Sequence, residues 1–260
     1  MRRALRIIAL VVAAWLLVAY VILPALWRHY EHQPALEKSP RVTTTGAGIP
    51  GDPLNVGLVG AREEGLAAFA AAGWRVPAAL GLRSDLGIAE SVLADRPDPT
   101  APVSELFLFG RPEDLAFEKE VGQSADRRNH VRFWRDDSLG DGSRPFWIGA
   151  ASFDEGVGVS HRTGQITHHI APDIDAERDL VMADLEAAHQ LVARYQVTGV
   201  GPTLDGRNGG GDRYFTDGEL DVGVLIRVSE TRTLPPAVLP SPAPVRLKQW
   251  LWHRILPLLR

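Results

Sequence analysis

The stretch 7–27, IIALVVAAWLLVAYVILPALW, carries no charged side chain, and it constrains this chain more than any other feature. At about 1.5 Å of rise per residue, a helix of that length crosses the ~30 Å hydrocarbon core of a bilayer. Arg2, Arg3 and Arg6 precede it, and Trp15, Tyr20 and Trp27 punctuate it. Of these aromatics, Trp15 lies too deep to anchor at the headgroups. A cleaved signal peptide is the other reading, but it needs a shorter apolar run and small residues at a cleavage position. The segment instead ends ILPALWRHY, so an uncleaved transmembrane anchor over 1–27 is expected. Arg28, Lys38 and Arg41 follow the span and balance the basic residues before it. The tight N-terminal arginine cluster puts the short tail in the cytoplasm and the body on the non-cytoplasmic side.

With 45% hydrophobic and 23% charged residues, the chain has the composition of a folded protein. Its 28 Lys and Arg against 32 Asp and Glu give a net charge of −4, unlike the basic surface of a nucleic-acid binder. Cysteine is absent, which excludes disulfides, a cysteine nucleophile and thiolate metal ligands.

Residues 28–52 read as a polar linker ending TTTGAGIPGDP, and 53–232 as the globular domain. Within it, 54–59 reads as a strand. AREEGLAAFAAAGW reads as a helix, with Glu63 and Glu64 at its positive end and Gly73 closing it. A second helix is expected at 84–94. Strand patterns follow in SELFLFG, NHVRFWR, PFWIGAASF and QITHHI, with SLGDGSRP as a hairpin connection. Residues 175–195 read as the longest helix, since Val181, Leu185, Ala188, Val192 and Tyr195 recur at helical spacing. The strands YQVTG and ELDVGVLIRV then flank the loop DGRNGGGD. This order predicts an α+β fold: a mainly antiparallel sheet with two or three packed helices, preceded by one transmembrane helix. Residues 233–245, with five prolines, read as a semi-rigid linker. The tail 246–260 puts Leu247, Trp250, Leu251, Ile255 and Leu258 on one helical face and Arg246, Gln249, His253 and Arg260 elsewhere. That is the pattern of a helix lying in the membrane interface, and a helix docked on its own domain satisfies the same spacing.

Polar residues concentrate in 161–179, HRTGQITHHIAPDIDAERD. The two-residue period of a strand puts His169 with Gln165 and Thr167 on one face, and His168 with Ile166 and Ile170 on the other. His168 therefore reads as a core residue and His169 as a functional candidate. Asp175 is placed to cap the long helix, and Glu177 and Asp179 to meet its dipole. His161, Arg162, His169 and Asp173 have no such account and are the candidate catalytic residues. Histidine with aspartate can act as an acid–base pair, two imidazoles with a carboxylate can hold a metal, and arginine suits phosphate. The spacing matches no metal motif, so no metal is assigned, and no cofactor is identified. A polar structural corner explains the same residues. In RRNHVRFWR, His130 and Arg132 share a strand face and are candidate ligand-binding residues, against the alternative of a solvated strand. DGRNGGGD can cradle an anion or serve as a flexible loop.

Taken together, DPLNVGLVGAREE, LFLFGRPEDLAFEK, HVRFWR and SHRTGQITHHIAPDIDAERD resemble the LssY C-terminal domain family over about 53–200. The resemblance implies a bacterial domain without an established activity, often joined to membrane-spanning segments. In some relatives it accompanies type-2 phosphatidic acid phosphatase or DedA-like membrane domains, and it brings no catalytic residues. The phosphatase pattern S-R, five residues, H, three residues, D is not met here: from Arg162 and His168 the last position is Pro172, and His169 with Asp173 is one residue late from Arg162. The expected function is a membrane-anchored accessory or binding module of the bacterial envelope. Its partners would be the lipid bilayer, a lipid headgroup or an integral membrane protein, and not nucleic acid. The alternative is a hydrolase of phosphate esters or headgroups acting through His161, His169 and Asp173, so enzyme status is left open. A hydrolase would gather those groups in one pocket with Arg162 or Arg132; a module would scatter them or tie them up in mutual hydrogen bonds.

Overall fold

The computed structural model describes residues 2–31, 33–77, 106–122, 127–140, 144–162, 164, 166–199 and 205–258. The helix expected at 84–94 lies outside them. The apolar N-terminus is one helical rod of α1 (Arg2–Leu17), a π-helical turn at Val18–Ile22 and α2 (Leu23–Glu31). Pro24, which has no N–H to give to the ladder, stands just after the widened turn. Over Arg2–Tyr30 the rod is long and apolar enough to cross a membrane, and its apolar window has no buried residue.

The body opens with β1 (Val42–Thr45), β2 (Pro50–Pro53), β3 (Val56–Val59) and helix α3 (Arg62–Ala71). Next come β4 (Leu106–Leu108), β5 (Arg111–Pro112), β6 (Leu115–Glu120), β7 (Arg128–Gly140), β8 (Pro145–Val159) and β9 (Ile166–Ile170). Helix α4 (Ile174–Ala187) leads to β10 (Leu191–Thr198), β11 (Asp205–Arg207), β12 (Arg213–Phe215) and β13 (Glu219–Leu225). A short β14 (Ala237–Val238), helix α5 (Ala243–Ile255) and a 3-10 turn at Leu256–Leu258 follow. The main sheet runs β14–β10–β13–β3–β8–β7–β6, with β9 added to β8; a smaller sheet runs β2–β1–β4–β5. Only β3–β13 and β10–β14 pair in parallel among the described strands. The fold is α+β, as expected.

Strand alternation splits the interior in two. Val131 and Phe133 of β7, with Trp147 and Ala151 of β8, meet Phe69 of α3 and Val181 and Leu185 of α4. Phe69 stacks on Phe117 with ring centroids 4.0 Å apart. Trp134, Ile148 and Ala150 point the other way, to Leu54, Leu106 and Leu108 beside the smaller sheet. Each large side chain so buried contributes about 1.5–3 kcal/mol. The face that carries Trp134 also carries Arg132 and His130, so those two lie inside the protein rather than on a solvated strand.

Three expectations change. Residues 28–52 are not all linker, because β1 and the start of β2 lie among them and pair in the smaller sheet, with Thr43 buried. The long helix stops at Ala187; His189 adopts φ 57° and the chain turns into β10. Val192 and Tyr195 extend the helical spacing by coincidence, while Leu191–Thr198 satisfies its backbone in a ladder to β13. The proline-rich segment is laid along the sheet edge instead of hanging free. Ala237 pairs with Ala193, Val238 with Arg194, and the Leu239 N–H donates to the Arg194 carbonyl. An edge strand tolerates proline because its outer N–H positions need no partner.

Candidate functional site

The site is assembled by the hairpin β11–β12 folding over the turn after β8. Its loop, Asn208–Gly209–Gly210–Gly211–Asp212, closes on itself: the Asn208 N–H donates to the Asp212 carbonyl at 2.9 Å, and the Asp212 N–H to Asn208 Oδ1 at 2.9 Å. The Gly210 carbonyl accepts the His161 N–H and the Ser160 hydroxyl, at 2.9 and 3.2 Å. Gly211 permits this approach. Its φ is +93°, and a Cβ there would fall 2.8 Å from the Cβ of His161.

The clasp brings one carboxylate to two imidazoles. Asp212 Oδ1 lies 2.6 Å from His169 Nδ1 and 3.9 Å from His161 Nε2. The rings of His161 and His169 are 5.3 Å apart. Asp212 is buried, His169 half-buried, and His161 66% exposed, so the cluster opens to solvent on the His161 side. The other oxygen, Oδ2, accepts the Ile170 N–H and the Asn208 amide, both at 3.3 Å. Gly158 makes room for the His169 ring, since a Cβ there would lie 2.5 Å from Nε2.

Sequence reasoning pairs the histidines with Asp173; the structure brings them Asp212. Asp173 instead caps α4, accepting the Ala176 N–H at 3.3 Å, and lines a separate pocket of about 140 Å³ with Arg178, Asp217 and Trp252. Asp175, expected as the cap, is buried and accepts from Thr216 Oγ1 and the Asp217 N–H. Arg162 stays at the site's rim, its backbone N–H on Ser160 Oγ and its stem against Gly211. His168 diverges from His169 as strand alternation requires and faces Asp154 at 3.5 Å.

Behind the open cluster lies a buried one. His130 Nε2 meets Ser152 Oγ at 2.9 Å, and its Nδ1 meets Asp154 at 3.3 Å. The order matches a serine–histidine–aspartate relay, but Ser152 is only 1% exposed and cannot meet a substrate here. Arg128 adds contacts to Asp154 and Glu118. Burial opposes the charge on Asp154, yet His130, His168 and Arg132 outweigh it and hold the carboxyl below the usual range. Asp52 is pushed up by burial, against the pull of His130 and Arg132, and is hydrogen-bonded by the Asn208 side chain. Asn208 thus joins the buried cluster to Asp212. His130 and Arg132 belong to this interior network and not to the open rim.

The LssY C-terminus family matches residues 36–220, well over half of the 260. The chain belongs to that family. Comparison with curated proteins and with solved structures found no match. The matched residues therefore take in the strands from β1 to β12, the start of β13, α3, α4 and the loop that supplies Asp212, while the N-terminal rod, most of β13, β14 and α5 lie outside them. Together, the apolar N-terminal helix and this domain fit a membrane-anchored protein. Chemically, a solvent-facing His161 beside a carboxylate-oriented His169 can exchange protons or bind an electrophilic centre.

Proposed function

We propose that the LssY C-terminus domain is an accessory binding module held flat against the bilayer at two places, by the N-terminal span and by α5. The observation that carries this reading is how α5 sits. Val245 and Trp252 are buried against the body, and Gln249 bonds Gln196. Lys248 binds Glu219 and the Asp217 carbonyl, and its ammonium stands 4.6 Å over the ring of Trp27 at the end of the span. Docking leaves the opposite face bare: Leu247 is 58% exposed, Trp250 51% and Leu258 82%, with Leu251 and Ile255 beside them. A helix that is docked and yet apolar outward, tied to the end of a span, suits a membrane interface. Immersing those five side chains is worth several kcal/mol, at ~1.5–3 kcal/mol for each one fully buried. Arg246 and Arg254 would add about 1 kcal/mol each beside anionic lipid.

Because the chain has no cysteine, single labelling sites can be introduced without background. The full chain carrying Leu251→Cys, labelled with a polarity-sensitive dye, is reconstituted in vesicles of phosphatidylcholine and phosphatidylglycerol. The dye is expected to shift to the blue and to be quenched by spin-labelled lipid, while the same dye at Val228→Cys, an exposed site on the body, is not. Equal spectra at the two positions would sink the reading. The N-terminal arginines favour a body outside the cytoplasm; a reporter after Arg260 that is active only in the cytoplasm reverses that sidedness.

A further inference from the structure

We infer that His161, His169 and Asp212 form a binding site for a divalent transition-metal ion with the preferences of zinc. One nitrogen from each imidazole and one oxygen from Asp212 lie within 4.8 Å of one another. Metal–ligand bonds of about 2.0–2.1 Å in a tetrahedron set ligand–ligand separations of roughly 3.3 Å. The observed separations to Asp212 Oδ1, 2.6 Å from His169 and 3.9 Å from His161, straddle that value. The His169–Asp212 pair must open by roughly 0.7 Å as an ion replaces the shared proton. His161 closes in by a similar amount. It can do so because its side chain is largely exposed.

The surroundings fit ligation better than a plain hydrogen-bonded corner. A corner accounts for His169 and Asp212 but leaves His161 unexplained, held by its backbone to Gly210 with its ring turned to the same oxygen. Asp212 offers Oδ1 alone, because Ile170 and Asn208 occupy Oδ2. Fixing a ligand carboxylate through its second oxygen is how outer groups orient a metal site. Two imidazoles and one carboxylate suit zinc and its first-row neighbours, whereas calcium and magnesium favour all-oxygen shells. The three ligands come from the turn after β8, from β9 and from the glycine loop, so an ion would also lock the hairpin to the sheet. With three protein ligands on an open face, the remaining position is left to water or to an oxygen of an incoming anion.

The test uses the detergent-solubilised full chain, stripped with a chelator and titrated with Zn²⁺ alone by calorimetry. One ion per chain is expected, undisturbed by excess Mg²⁺. His161→Ala, at an exposed position, should keep the fold by circular dichroism and abolish the tight phase. Asp212→Asn should do the same while preserving the loop's hydrogen bonds, and Asn208→Ala should weaken binding roughly 10–100-fold. His253→Ala, on α5, should change nothing. Substoichiometric uptake, equal competition by Mg²⁺, or Zn²⁺ binding unaffected by His161→Ala would each overturn the assignment. If Asp212→Asn fails to fold, His161→Ala decides alone.

Discussion

Replacing Arg178 by methionine is expected to lower the stability of the folded body by about 3–5 kcal/mol at neutral pH, the range for removing one partner from a buried ion pair. Arg178 is 2% exposed and grips Asp217 with two bonds, at 2.8 and 3.1 Å. It also reaches Asp175 at 3.4 Å, the Glu219 carbonyl at 3.3 Å and Asp179 at 3.0 Å. Burial disfavours its charge, but the surrounding carboxylates outweigh burial and raise its pKa further. Burial likewise opposes ionised Asp217, and the guanidinium wins, holding that carboxyl below its ordinary range. Asp175 goes the other way: burial, with Asp217 adding to it, raises its pKa in spite of Arg178. Methionine fills the volume and leaves two carboxyls facing each other without the guanidinium, with Lys248 at the Asp217 carbonyl the remaining cation. Their native pKa values then lie above the unfolded ones, so the loss should shrink as pH falls and both become neutral. Urea unfolding of the detergent-solubilised chain, followed by tryptophan fluorescence at about pH 5 and about pH 8, measures this. A loss equal at both pH values would mean that the guanidinium acts through packing alone. The variant also bears on the membrane reading, because Asp217 and Glu219 are where Lys248 fastens α5.

How much of this was legible in the chain depends on the range of the interaction. The apolar span, the first strand, α3 with its Gly73 stop at φ +80°, and the strands from 128 to 170 follow from local period and composition. The divergence of His168 and His169 needed only strand geometry. The failures are all long-range. Asp212 stands 43 residues after His169, and the one local hint is that three glycines precede it in a loop open to either a flexible or a functional reading. Asp173 and Asp175 both sit where a cap belongs. Which of them caps was settled by Arg178 and Thr216, whose contacts draw Asp175 into the interior. β10 looked helical because Val192 and Tyr195 continue a period that its pairing with β13 overrides. The tail's spacing gives one apolar face, but α5 has two, and only the docked structure separates Val245 and Trp252 from the exposed set.

Glu177 is the clearest case of a residue whose local reading reverses. In the first turn of α4 its charge should favour the helix dipole, yet it is buried and its Oε1 has no hydrogen-bond partner among the described residues. Burial first, then Asp184 and Asp154, push its carboxyl from 4.5 up to about 8; Lys119 pulls weakly the other way. A carboxyl with a native pKa above its unfolded value binds its proton more tightly when folded. Its contribution to stability is therefore greatest below the unfolded value near 4.5 and falls as pH rises toward about 8. At ~1.4 kcal/mol per pH unit, that interval corresponds to on the order of 5 kcal/mol, and water entering around the charged group reduces it. Glu177→Gln keeps the shape, removes the charge and offers an N–H to the neighbouring carboxylates. Its expected effect is a gain of roughly 2–4 kcal/mol at about pH 9, shrinking to near zero at about pH 4, with a flatter stability profile between. Thermal unfolding of the two proteins across that range tests it. If the variant is no more stable at alkaline pH, Glu177 is ionised in the native state; if the gain is the same at acid pH, it does not come from the charge of Glu177.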